Sequence, residues 1–287
     1  MVKSILKWIS CIIVYVVVFL VIDSFLPYSQ SFKESVSSED PSILLFLLIN
    51  SMWVCFVIYF ITKHSSLTGL KLYFNILFVV FFLQSFMTQI ETLFFIDAFP
   101  MLLVVDVILF MLRDLISLLA VIPLMIKYFQ NSNVTVEKVE INIISISIKL
   151  GIIGVIYTFV YMIFGYFVAW QFTELRMFYS GSAEKLSFFG QLINNIKTNP
   201  IIYPFQILRG ILFGFFTIPL TYMINRKTIF MISICLTYLC TAIVLIIPNV
   251  LFPEMVRYGH LVEMASSMLV FGIIVGNIMW GKRTTNI

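Results

Sequence analysis

Residues 101–126 read MLLVVDVILFMLRDLISLLAVIPLMI. At about 1.5 Å of rise per residue, a helix over this run crosses the roughly 30 Å of hydrocarbon in a bilayer. The run is far too long for a strand, and its three ionisable residues, Asp106, Arg113 and Asp114, are too few for the polar face of a surface helix. Comparable stretches recur along the chain, at Ile5–Leu26, Ile43–Thr62, Leu72–Phe95, Leu150–Trp170, Tyr203–Met223, Thr228–Ile247 and Glu254–Trp280. Together they predict an all-α polytopic membrane bundle of about eight spans, forming a single transmembrane domain over residues 1–287. A transmembrane barrel would need short segments alternating apolar with polar residues, and runs such as Ile43–Leu48 do not alternate.

Composition agrees with this reading. The 287 residues are 61% hydrophobic and only 11% charged, with a mean hydropathy of +1.06, whereas a soluble domain carries about 25% charged residues. Phe, Ile and Leu are abundant and Ala and Gly scarce. That is the pattern of an AT-rich coding bias, and it points to a bacterial inner membrane. The four cysteines, Cys11, Cys55, Cys235 and Cys240, all lie in apolar runs without a CxxC pair, so they are read as packing residues.

Lysine and arginine set the expected orientation. Lys3, Lys7, Lys63, Lys71, Lys127, Lys138, Lys149, Arg226, Lys227, Lys282 and Arg283 fall at one set of span ends, and only Lys33, Arg176, Lys185 and Lys197 at the other. Both termini are therefore expected in the cytoplasm, as an even number of spans also requires. The net charge of +4 reflects this topology and attraction to anionic lipid, not nucleic-acid binding. Lys3 precedes the first span and Lys7 lies in its first turn, as in a signal sequence. No small-x-small cleavage site follows Val21–Leu26, so an uncleaved anchor is expected.

Two connections carry more than a turn. Val136, Val139, Ile143 and Ile146 fall at helical spacing within Thr135–Ser147, which predicts a helix on the inner membrane surface. The sequon Asn133-Val134-Thr135 lies on the cytoplasmic side of this topology and is discounted. The longest outer loop, residues 171–202, predicts an amphipathic helix N-capped by Ser182. Leu186, Phe189, Ile193 and Ile196 form its apolar stripe and Asn199-Pro200 its stop; it is expected to serve as a lid or an interfacial support. Gly210/Gly214 and Gly272/Gly276 predict close helix contacts.

The chemistry is expected where charge enters hydrocarbon. Arg113, Arg209 and Arg257 sit well inside spans while the lysines lie at or beyond span ends, and a guanidinium there needs a buried partner, a water-filled cavity or an anionic ligand. Gln84, Thr88 and Glu91 share one face of the third span, and Asp106 and Arg113 one face of the fourth. Gln206 and Arg209 lie near the outer end of the sixth span, and Arg257, His260, Glu263 and Ser267 form a strip on the eighth. At the outer end of the fifth span, Tyr166 and Trp170 suit an interfacial aromatic belt. Most of the ionisable groups fall in the outer halves of their spans, which predicts a single polar cluster opening outward. Glu91, Asp106, Asp114 and Glu263 are expected to balance the arginines, with Arg113–Asp106 as a structural pair and Arg257 able to reach the headgroups.

Neither a P-loop nor a Rossmann fingerprint is present, HExxH and GxSxG are absent, and the only other histidine is His64, on the inner side. No cofactor, metal or nucleic-acid partner is expected; membrane lipids are. The leading expectation is a protein that binds or transports a small anionic or amphiphilic ligand in an outward-facing cavity. Its lining would comprise Gln84, Glu91, Asp106, Arg113, Gln206, Arg209, Arg257, His260 and Glu263, with arginine forks holding a carboxylate or phosphate. Two alternatives remain: an intramembrane enzyme acting on lipid, with Glu263 or His260 as acid or base, and an assembly subunit whose polar residues bind a partner's helices.

Overall fold

A computed structural model describes residues 2–36, 42–131, 138–139, 142–281 and 283–284. It contains eight helices long and apolar enough to cross a membrane: Lys3–Phe25, Ile43–His64, Gly69–Phe94, Val104–Phe129, Ile143–Gln171, Ile202–Met223, Lys227–Ile246 and Glu254–Met279. The chain is an all-α polytopic bundle. The sixth span is the most enclosed of the eight and the first the least. Ile5, Leu6, Ile9, Ile13 and Val17 on the first span are exposed, as residues facing lipid must be.

Helix contact is closest where glycine removes the side chain. The fifth and sixth spans cross with Gly154 against Gly210, and a Cβ on Gly210 would stand 2.5 Å from Tyr157 Cβ and 2.8 Å from Gly154 Cα. Gly214 faces Leu150 and Ile153. Gly272 and Gly276 of the eighth span lie against Cys235 and Met231 of the seventh. Without a hydrophobic force between helices in lipid, such close van der Waals contact is what holds them together. Tyr157, Phe213, Tyr238 and Phe271 fill the centre of the crossing.

The third span is not uniform. A π-helical turn occupies Phe81–Phe86, and it turns Gln84 and Ser85 inward, where both are buried. Such a turn inserts one residue into the helical register, so the face carrying Gln84 is rotated relative to that carrying Glu91. The connection before the fifth span differs from expectation. Helix begins at Ile143, N-capped by Asn142, and runs without a break to Phe167, so Ile143 and Ile146 belong to the span itself. Lys138–Val139 is extended and pairs antiparallel with Arg283–Thr284, so it is not helical. Val136 and the sequon at Asn133 lie outside the described residues.

Three short helices, Gln30–Val36, Thr173–Ser180 and Phe188–Thr198, lie at the face opposite the termini, the distal face. The expected loop helix starts later than its sequence signal. Ser187, not Ser182, is its N-cap, accepting a 3.2 Å hydrogen bond from Gly190 N, and Leu186 precedes the helix. The preceding helix, Thr173–Ser180, ends on Gly181 at φ +68°, a left-handed position suited to a residue without Cβ. Arg176 then fastens the loop by donating to Trp170 O at 2.5 Å, Ala183 O at 2.9 Å and Thr173 Oγ1 at 3.0 Å.

Two neighbouring glycines test the packing. Gly210→Ala should lower thermal stability by about 1–3 kcal/mol through overpacking against Tyr157. Gly151→Ala, where a Cβ meets nothing within 4 Å, should leave stability unchanged or slightly raised. Unfolding of the purified protein followed with temperature compares the two.

Candidate functional site

The polar residues inside the bundle do not form a single cluster; they divide into separate assemblies held by near neighbours, in which Gln84 Oε1, Gln206 Nε2 and Arg209 Nε have no hydrogen-bond partner among the described residues. Asp106 is the first. Its carboxylate accepts from Ser29 N at 2.7 Å, Ser29 Oγ at 2.6 Å and Leu103 N at 2.9 Å. It therefore caps the fourth span and fastens the chain leaving the first. A carboxylate at a helix N-terminus also meets the positive end of the helix dipole.

Arg113 belongs to a second assembly, and its partner is not Asp106. Nη1 donates to Asp23 Oδ1 at 2.9 Å, and Nε and Nη2 each reach Asp114 Oδ1 at 3.3 Å. The guanidinium lies over Phe19, 4.0 Å from the ring centroid. Ser85 Oγ, from the π-helical turn, donates to Asp114 Oδ2 at 2.7 Å, and Tyr28 OH donates to Asp23 at 2.7 Å. Burial pushes the Tyr28 hydroxyl above its ordinary range, so it stays a donor. Among the described residues, the Gln84 side chain reaches Tyr15 OH alone, at 3.5 Å. Asp23 is not among the residues that the sequence singles out; a carboxylate in the last turn of an apolar run is its one signal there.

Arg209 is the least exposed of the three intramembrane arginines, its side chain 1% exposed, and it stands on the most enclosed span. It forms a bidentate pair with Glu91, Nη1 to Oε1 at 2.6 Å and Nη2 to Oε2 at 2.7 Å, and Gln206 Oε1 accepts a further bond at 3.1 Å. The planar fork matches both carboxylate oxygens, which a lysine could not do. Arg257 is committed elsewhere. Its Nη1 donates to Leu245 O at 3.2 Å and Ile246 O at 2.7 Å, capping the exposed carbonyls where the seventh span ends. It is buried within the protein and does not reach outward like a headgroup anchor.

A cavity of about 590 Å³ opens at the distal face, between the ends of the third, fifth, seventh and eighth spans and the 171–202 loop. Of the residues expected to form a site, it brings together Glu91, His260 and Glu263. Gln84, Asp106, Arg113, Gln206, Arg209 and Arg257 are not on its wall. Much of that wall is aromatic, including Phe94, Phe95, Tyr161, Trp170, Tyr179 and Phe252. Aromatic residues are so common in this chain that their positions carried no signal. Glu263 lies nine residues into the eighth span, so the floor is roughly 14 Å below the span's distal end.

His260 connects two elements at the wall. Its Nε2 is 2.9 Å from Tyr179 OH, and its Nδ1 is 3.9 Å from Glu263 Oε2. Burial, reinforced by the carboxylates of Glu91 and Glu263, holds the Tyr179 hydroxyl well above its usual range. It is a neutral hydroxyl at any physiological pH. The Glu263 side chain is 11% exposed and makes no hydrogen bond among the described residues. A void of about 20 Å³, lined by Glu91, Tyr157, Tyr161, Glu263 and Ser267 among others, lies between the Arg209 pair and the eighth span.

The Arg209–Glu91 pair sets a stability test. Glu91→Leu alone should destabilise the protein by about 3–5 kcal/mol, because it strands a buried guanidinium. Adding Arg209→Met should recover most of that loss, as measured by thermal unfolding of both variants. A double variant no more stable than the single one would contradict this account of the pair.

No family model matches this chain, and no curated protein or solved structure matches it significantly.

Proposed function

We propose that this protein binds an amphiphilic molecule in the distal cavity, to store, present or move it across the membrane. The cavity is the observation that carries the reading: it has the size and the mainly apolar lining, with a few convergent polar groups, of a small-molecule site. The helix Phe188–Thr198 supports an approach from lipid. Phe188, Gln191, Leu192 and Asn195 on one side line the cavity, while Phe189, Ile193 and Ile196 on the other are exposed apolar residues facing outward. This helix is then a wall between bilayer and site, as an interfacial helix with a lipid-facing stripe is built to be. By the charge bias of the connections, the distal face is the outer one, and the coding bias makes the membrane a bacterial inner membrane.

Gly165 provides the test. It lies on the cavity wall, and a Cβ there meets nothing within 4 Å. Gly165→Trp should therefore fill the cavity without disturbing the packed bundle. Protein purified in mild detergent should retain an amphiphile detectable by mass spectrometry of solvent extracts, and Gly165→Trp, at unchanged thermal stability, should retain little or none. Equal retention by the two proteins, or none by either, would overturn the reading.

One observation favours a second reading, an enzyme acting on lipid. Tyr179 OH lies 2.9 Å from the His260 imidazole, and the Glu263 carboxylate 3.9 Å from its other nitrogen, at the cavity wall, and groups of this kind can deliver or accept a proton at a bound substrate. Incubation of the protein with extracted membrane lipids should then give a product that Glu263→Gln fails to form. Equal product from both would remove Glu263 from catalysis.

A further inference from the structure

We propose that the amphiphile is an organic cation, its ammonium or equivalent head held by the Glu263 carboxylate and its body by the aromatic wall. The inference rests on the cavity reading above and adds the charge class of the ligand. It follows from where the nearby arginines are spent. Arg209 has both terminal nitrogens on Glu91, and its side chain is 1% exposed. Arg257 donates to the carbonyls of Leu245 and Ile246, and Arg176 to those of Trp170 and Ala183 and to Thr173. Among the described residues, no lysine or arginine lines the cavity. An anionic head would meet no guanidinium there.

The acids are distributed in the opposite way. Glu91 is neutralised by Arg209 and presents a paired charge to the cavity. Asp97 lies exposed at the mouth. The Glu263 side chain is 11% exposed and lines the cavity floor; its nearest cationic or donor group among the described residues is His260 Nδ1, at 3.9 Å, beyond hydrogen-bonding distance. The other ring nitrogen, Nε2, is taken up by Tyr179 OH at 2.9 Å. A buried carboxylate in a low-dielectric wall calls for a cation, and the ligand supplies it.

The aromatic lining agrees with this charge. Phe94, Phe95, Tyr161, Trp170, Tyr179 and Phe252 offer ring faces whose quadrupoles are negative, and these attract ammonium groups most strongly where water is excluded. Asp97 at the mouth and Glu263 at the floor place negative charge at both ends of the cavity. A cation with a rigid apolar body fits this arrangement; an anion of the same shape is repelled along its path.

Tetraphenylphosphonium and tetraphenylborate are close in size and shape and opposite in charge. Their binding to the native protein in lipid nanodiscs, corrected with empty discs, tests the assignment directly. The phosphonium should bind saturably and more tightly than the borate, and Gly165→Trp should abolish that binding. Glu263→Gln, close to isosteric, should weaken it by roughly tenfold or more, while Asp97→Asn at the exposed mouth should change it by about twofold at most. Borate binding as tight as phosphonium binding, or phosphonium binding indifferent to Glu263→Gln in a folded variant, overturns the charge assignment and leaves an amphiphile cavity. Saturable binding of neither ion overturns the assignment as well, and amphiphile retention by the native protein then decides separately whether the cavity reading survives. Should Glu263→Gln fail to fold, the comparison of the two ions on the native protein still decides.

Discussion

The pairing of Arg209 with Glu91 is the interaction on which the interior depends. A guanidinium on the most enclosed span has no access to water, and in such a place an unpaired charge costs several kcal/mol even after relaxation. Two parallel hydrogen bonds to one carboxylate meet that demand and join the third span to the sixth. The same constraint governs the other intramembrane ions. Arg113 is held by Asp23 and Asp114, Arg257 by two helix-end carbonyls, and Asp106 by two amides and a hydroxyl. Each ion answers to its nearest neighbours, so the bundle contains several small polar joints in place of a shared cluster.

This local settlement shapes the cavity by subtraction. Once every nearby arginine is occupied, the polar character of the cavity comes from Glu263, His260, Asp97 and the outer edge of the Glu91 pair. Packing also varies with depth. Glycine contacts draw the fifth and sixth spans, and the seventh and eighth, into close apposition. Toward the distal face the spans separate, and the Arg176-fastened loop with its two short helices roofs the space between them. Tight crossings and an open distal end are thus parts of one arrangement.

Several features were legible before any coordinates. The eight spans follow from run length and hydropathy, and their ends lie within three residues of the expected ones except at the fifth, which starts seven residues earlier, at Ile143. Gly210/Gly214 and Gly272/Gly276 do mark close contacts, because a missing side chain has the same meaning in any packed pair of helices. Helix-face arithmetic placed Glu263 and His260 on one strip, and they do share a wall. The same arithmetic failed for Asp106 and Arg113. Residues seven apart share a face but lie about 10 Å apart along the axis, and each found a nearer partner on another segment. The Ser182 cap signal failed because Arg176 holds the segment before Ser187 in a non-helical loop through the carbonyl of Ala183.

By itself the sequence determined the solvent, the number of spans and the identity of the costly residues, because hydrocarbon imposes length, apolarity and charge pairing on every segment independently. Only the tertiary structure decided which ion meets which. It showed that Arg209 is spent on Glu91, that Arg257 caps a neighbouring helix, and that Glu263 is left facing a cavity. Pairing is a property of distances between segments remote in the chain, and a helical repeat says which face a residue occupies but not what stands opposite it. Here that difference separates a site suited to anions from one suited to cations.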